Sequence, residues 1–248
     1  MTKTAQIAMV LVSCCCLGQN TDFLFRDYNN PALLKNITAT TLYTQHSIIN
    51  PEFELTAHKI GSVFELWNRT FHSYYYQYGY THYKEQEFTL SSLQKISSKV
   101  HFGVNLNLHN ASSPGFNKHQ SVSFDLGWNY QNNRYEIDLF MENPLNNSYV
   151  KNDIESRMII SGRYKWNSNL ASILQIEESL LRSSYAQHEL KYSYENSFSL
   201  SILHTFTTSQ YGLRFGYNKE PFEIRTSYKS HPWANKIGFS LIYQPFNG

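Results

Sequence analysis

The residues best suited to chemistry in this 248-residue chain are its ten histidines, since imidazole binds metals and moves protons near neutral pH. Their spacing assembles no site. His101 and His109 have the parity of one strand face, but eight residues set them ~26 Å apart along an extended chain, too far to share a metal. His188-Glu189 lacks the second histidine of a zinc-protease helix, and His46, His58, His72 and His82 are scattered. There is no Gly-x-Ser-x-Gly elbow and no glycine-rich phosphate loop. A Ser–His pair for hydrolysing lipid is not visible along the chain, although residues distant in sequence can converge. The expectation is a non-enzyme with no metal and no cofactor; a lipid-modifying barrel enzyme is the alternative.

The charged residues are more orderly. Asp125, Glu136, Asp138, Arg157 and Arg163 fall on the polar side of alternating stretches, as do Lys165, Glu177, Arg214, Glu223 and Arg225. Residues two apart share a strand face, so strands must position them. From Ser121 to Tyr130, Val122, Phe124, Leu126, Trp128 and Tyr130 oppose Ser121, Ser123, Asp125, Gly127 and Asn129. The same two-residue period runs from Val100 to His109 and from Arg157 to Trp166. It predicts further strands near 134–142, 169–180, 185–195, 198–207, 210–219, 222–230 and 236–244. The N-terminal third is less regular, with strands near 37–47, 53–66, 70–81 and 87–96; Tyr74, Tyr76, Tyr78 and Tyr80 form one aromatic face. The total is about 14 strands, or 12 if one early hairpin does not form.

Composition agrees with an all-β chain. Tyr 19 and Phe 16 are high and charged residues are only 16%, which suits strands. A net charge of +2 and no basic run give no reason to expect nucleic acid. Lys3, the apolar stretch from Ala5 to Val12 and the small-x-small pattern Cys16-Leu17-Gly18 read as a secretory signal peptide over 1–18. Leu11-Val12-Ser13-Cys14 also resembles a lipobox whose cysteine would be lipidated. All three cysteines lie in this segment, so disulfides do not stabilise the mature chain.

The connections after every second strand are tight and built from Asn, Ser and Pro: Asn68-Arg69, Ser97-Ser98, Asn132-Asn133, Asn167-Ser168, Asn196-Ser197 and Asn218 to Pro221. These residues favour turns. The intervening connections are mostly longer. Strands of about ten residues with alternating short and long connections match a transmembrane barrel with both termini periplasmic. A soluble sandwich or small barrel would show the same alternation with its apolar face inward. Two arguments favour the inverted case: a closed wall of 12–14 strands is too wide to fill with a dry core, and the mixed-sign polar faces suit an aqueous or cross-linked lumen. On the lipid face a midplane Arg or Lys would cost ~2–4 kcal/mol. Aromatics near strand ends, among them Trp128, Tyr130, Tyr164, Trp166, Tyr192, Tyr194, Tyr217, Tyr228 and Tyr243, would then form interfacial girdles.

Two segments carry a family resemblance. Asp27 to Leu34, with Asn30-Pro31-Ala32 at its centre, resembles the N-terminal motif of the FadL-like outer-membrane proteins, a group that includes the PorV and PorQ secretion proteins of Bacteroidota. Tyr228 to Pro232 and the strand from Lys236 to Tyr243 resemble the closing hairpin of such proteins, with Lys236, Gly238, Leu241 and Tyr243 matching a barrel-insertion signal. The resemblance implies a 14-stranded barrel (37–248) with an N-terminal segment (19–36) tucked into the lumen. It also implies outer-membrane lipid and the barrel-assembly machinery as partners, secretion-system components among them if the accessory role holds. Family members move hydrophobic molecules or assist secretion. This chain departs in its economy, with roughly 16 residues per strand and connection. Gln19 to Asn36 suffices only for a small plug, so a compact accessory or narrow transporter fits better than fatty-acid uptake.

Overall fold

The computed structural model describes residues 29–37, 40–50, 54–67, 69–80, 82–113, 119–145, 156–180, 184–195, 197–230 and 235–245. The signal segment, the lipobox, Asp27-Tyr28, Asn68, Asn196 and His231-Pro232 lie outside the described residues.

Fourteen antiparallel strands close into one barrel, each paired with its sequence neighbours and β14 with β1. They are β1 (Thr41–Asn50), β2 (Leu55–Leu66), β3 (Arg69–Tyr80), β4 (Tyr83–Lys95), β5 (Val100–Ser112), β6 (His119–Gln131) and β7 (Tyr135–Glu142), followed by β8 (Arg157–Lys165), β9 (Leu170–Ser179), β10 (Tyr185–Tyr194), β11 (Phe198–Thr205), β12 (Gln210–Lys219), β13 (Phe222–Lys229) and β14 (Lys236–Tyr243). The seam runs in register from Leu42↔Tyr243 to Ile48↔Ile237, so no strand edge is left for another chain to pair with.

The tight turns owe their residues to a specific hydrogen bond. Asn132 Oδ1 accepts from the Arg134 and Tyr135 amides at 2.9 and 2.8 Å, and Asn167 Oδ1 accepts from those of Asn169 and Leu170 at 2.8 Å each. Ser97 Oγ does the same for Lys99 and Val100. Each side chain replaces a backbone acceptor that the reversing chain has lost. The turn after β12 is tighter than the sequence suggests, because Asn218 and Lys219 still belong to the strand and Glu220-Pro221 alone reverses the chain. At the opposite end β3 and β4 are joined by only two residues.

Polarity is inverted relative to a soluble barrel. On β6, Ser123, Asp125 and Asn129 are buried inside while Val122 is 47% exposed outside. Ile60 at 61%, Ile202 and Leu213 at 52% and Leu106 at 49% belong to the same outer belt. In water such a surface would be strongly unfavourable; in a bilayer it is the required one. Exposed Tyr135, Tyr164, Trp166, Tyr192, Tyr194 and Tyr217 ring the short-turn end. Tyr164 and Trp166 meet edge-to-face there at 5.0 Å. Tyr228 stands instead at the opposite end, since β13 runs away from the short turns.

The wall's own side chains do not fill the interior unaided. Between β1 and β4 the interior is filled. Leu34 packs with Tyr43, Val63, Tyr74, Leu93 and Ile242, and farther along the axis Ile49, Leu55, Ala57 and Tyr78 form a second cluster. The aromatic face of β3 therefore looks inward. Its bulk, together with an inserted segment, fills what the wall residues alone would leave open.

Candidate functional site: a segment held in the lumen

The inserted segment begins with the Asn-Pro-Ala motif, and its local chemistry explains its shape. Asn30 caps a short 3-10 helix, Pro31–Asn36, its side chain accepting from the Ala32 amide at 3.0 Å. Pro31 occupies a position whose N–H would have no partner in the helix. Pro31, Ala32, Leu33 and Leu34 are all buried, packed against β3, β4, β5 and β6.

A notch in the wall receives it. Gly103 and Gly127 are register partners on β5 and β6 and face inward. A Cβ on Gly103 would lie 2.5 Å from the Pro31 carbonyl carbon, and one on Gly127 would lie 2.2 Å from Asn30 Oδ1. Only glycine admits the segment so closely. Polar contacts then hold it. Lys59 Nζ donates to Asn29 Oδ1 at 2.7 Å, and Asn105 Nδ2 donates to the Asn29 carbonyl at 3.0 Å. Asn30 Nδ2 reaches Asp138 Oδ1 at 3.5 Å. Lys35 Nζ pairs with Glu136 Oε1 at 3.0 Å and hydrogen-bonds Gln131. Burial draws the Lys35 ammonium below the usual lysine range, while Glu136 pulls it back up.

Most of the charged residues singled out in the sequence find polar or charged partners in the interior. Asp125 accepts from Asn105 and Asn107 at 3.0 and 2.8 Å and from the Asn143 amide at 3.1 Å. Glu136 joins Lys35 to Arg163, whose Nη1 lies 3.1 Å from Oε2, and also accepts from Asn129. Asp138 accepts from Ser161 Oγ at 2.6 Å. Arg157 Nε donates to Glu142 Oε2 at 2.6 Å and its Nη1 to Glu177 Oε1 at 3.2 Å. Arg214 pairs with Glu189 at 3.2 Å, and Arg225 forks onto Glu223 at 2.6 and 3.0 Å. Lys165 has the same parity but stands exposed at the short-turn rim. In the last strand Gly238 faces inward and Leu241 and Tyr243 outward, with Lys236 at the long-connection end.

Several interior groups escaped the sequence reading. Glu87 accepts from Tyr74 Oη at 2.5 Å and from Thr89 at 3.0 Å, and lies 3.3 Å from His109 Nδ1. Lys59 sits 3.8 Å above the Tyr74 ring. Glu142 closes β7 and shares Arg157 with Glu177. Gly103 and Gly127, on adjacent polar faces, were the available signal for the notch.

A Ser–His pair does exist on the exterior: Ser172 Oγ and His188 Nε2 are 2.6 Å apart on β9 and β10. Its register neighbours on the outer face are Tyr164, Leu174, Leu190 and His204, and none of these is a carboxylate. The surrounding strand amides are committed to the ladder and cannot stabilise an oxyanion. The pair satisfies two polar groups on an apolar surface. No group of three or more potential metal ligands occurs among the described residues.

No protein-family model matches the chain, and no curated protein matches it in sequence. Solved structures do match in shape. A TodX deltaS2S3 mutant monoaromatic hydrocarbon channel is 10% identical, covers 88% of this chain and 93% of its own, and superposes with a TM-score of 0.64. The Ralstonia pickettii toluene transporter TbuX is 9% identical over 89% and 93%, with a TM-score of 0.62. A Pseudomonas aeruginosa FadL homologue is 8% identical over 88% and 93%, also at 0.62. What this chain shares with these FadL-type barrels is the fold.

Proposed function

We propose that the chain is an outer-membrane barrel, both termini periplasmic, that passes a small hydrophobic molecule through a narrow lumen guarded by the Asn-Pro-Ala segment. The observation that carries this reading is the asymmetry of the interior. Between β1 and β4 its inner face is apolar and aromatic, packed from Tyr43, Tyr74, Tyr78, Val63 and Leu93, whereas from β7 to β13 it carries paired charges. An apolar solute has one compatible wall, and ions meet a cross-linked one. The shape shared with a monoaromatic hydrocarbon channel and a toluene transporter supports the choice. The interior segment serves as the plug, and the charge pairs opposite it as the frame that keeps the passage narrow. Folding depends on outer-membrane lipid and the barrel-assembly machinery, the last strand carrying the insertion signal.

The test is uptake of a radiolabelled monoaromatic hydrocarbon by cells lacking their own channel, with and without this protein. Faster uptake is expected, and unchanged uptake from a correctly inserted barrel would overturn transport. A second reading, a secretion accessory like the PorV and PorQ proteins of Bacteroidota, draws on the economy of the loops, such as the two-residue β3–β4 connection. Crosslinking to secretion-system components with no effect on uptake would favour it.

A further inference from the structure

One stretch of the outer wall departs from the apolar belt. His46, His58, Gln77, Gln86, Asn110 and Gln120 are successive register partners from β1 to β6, and all project outward. They form a continuous polar row. His46 and His58 meet through Nδ1 at 3.2 Å. Gln86 donates to the Tyr75 hydroxyl at 2.7 Å, which donates to Gln77 at 3.2 Å, and Asn110 donates to Gln86 at 2.9 Å. One pleat nearer the short turns runs an apolar row in the same register: Ile60, Tyr75, Phe88, Leu108 and Val122. Along the two rows lies a groove of about 700 Å³ lined by Tyr75, Phe88, Leu108 and Val122 of the apolar row and Gln86, Asn110 and Gln120 of the polar row, with Glu87, His109 and Ser121 of the intervening positions also bordering it. One pleat beyond Gln86 stands the exposed Lys84.

We infer that this groove binds a lipid of the leaflet nearer the long connections, one whose acyl chains are joined through amide and hydroxyl groups to a phosphorylated headgroup. The inference rests on the membrane reading above. Three features select that occupant. The polarity changes with depth, apolar then amide then ammonium, which is the order of groups along such an amphiphile. Carboxamides both donate and accept, so they suit a linkage that offers hydroxyl and amide donors as well as carbonyls. Interfacial positions in barrels are ordinarily held by aromatic residues, as they are at the short-turn rim here; on β2–β6 amides and an imidazole replace them. A second copy of the chain would meet a flat, self-complementary face, and this face is concave.

Native mass spectrometry of the full mature chain in detergent tests this, offering two probes: a phosphorylated glycolipid with amide-linked hydroxyacyl chains, and an ester-linked diacyl phosphatidylglycerol. Wild type is expected to retain one glycolipid with roughly tenfold preference. Gln86→Leu/Asn110→Leu should abolish that preference, and Lys84→Ala should weaken retention of both lipids. Gln120→Leu, at the open end of the row, serves if the double variant does not fold. Equal retention of both lipids by wild type, an unchanged variant, or a dimer that the double variant disperses would overturn the proposal. Heat-modifiable gel migration reports the barrel separately. Its loss in wild type would sink the membrane reading, whereas its persistence without lipid preference sinks this inference alone.

Discussion

Gly103 and Gly127 leave bare backbone where the Asn-Pro-Ala segment crosses the wall, and each is predicted to resist any side chain. Gly127→Val would set carbon against Asn30 Oδ1 and lower stability by about 1–3 kcal/mol through overpacking, read as a lower midpoint in urea unfolding. Gly162 is the control: nothing lies within 4 Å of a Cβ placed there. Gly162→Ala should be neutral, or stabilising by up to about 1 kcal/mol through a less free unfolded chain. Arg157 is a different case, because it is shared by two carboxylates. Arg157→Met leaves Glu142 and Glu177 facing each other without their cation, at a cost of about 3 kcal/mol. Adding Glu142→Gln and Glu177→Gln should return most of that stability, and a triple variant as unstable as the single one would show that packing outweighs charge. At this scale parity was legible in the sequence and partnership was not. Alternation set Asp125, Glu136 and Arg163 on polar faces, but nothing in the chain says that Glu136 bridges Lys35 and Arg163, because a strand face does not reveal which residue of an inserted segment it will meet.

Strands were the most legible elements, and the clearest were those with unlike faces. On β6 from Val122 onward and on β8 the outward-facing positions are nearly all apolar, so a two-residue period was enough to find them. β1 to β4 blur for a physical reason: their inner faces carry tyrosines that pack the interior, and their outer faces carry the amide row, so neither side is purely polar or apolar. The inserted segment was visible only through its family resemblance, since six residues of 3-10 helix have no period to detect. Its role can be tested as an element. Deleting residues 29–36 removes the contacts to Lys59, Asn105, Asp138 and Glu136 while leaving the 14-strand ladder intact. The variant is expected to migrate as a folded, heat-modifiable barrel and to pass ions more readily than wild type. Equal conductance in the two would mean that the wall charges, not the segment, close the lumen.

For the molecule as a whole the decisive quantity is how wide the lumen stands open. Fourteen strands enclose more space than their own side chains fill, yet an inserted segment and long side chains narrow this interior. Tyrosines and the inserted segment occupy the β1–β6 half, and the bonds Glu136–Arg163, Glu142–Arg157–Glu177 and Glu189–Arg214 link neighbouring strands along the rest of the wall. Each link gives a partner to charges that would be costly to leave buried and unpaired. The signs are interspersed: Glu87, Asp125, Glu136, Asp138, Glu142, Glu177, Glu189 and Glu223 alternate around the interior with Lys35, Lys59, Arg157, Arg163, Arg214 and Arg225. Interspersed signs give no large single-sign field to concentrate cations or anions. Planar-bilayer recording should therefore find a low conductance with little preference between potassium and chloride. Neutralising Arg157, Arg163 and Arg214 together should tilt the residual current toward cations. A wide, steadily open pore in the wild-type protein would contradict the narrow lumen and, with it, the separation of an apolar path from an ionic one on which selective passage of a hydrophobic molecule depends.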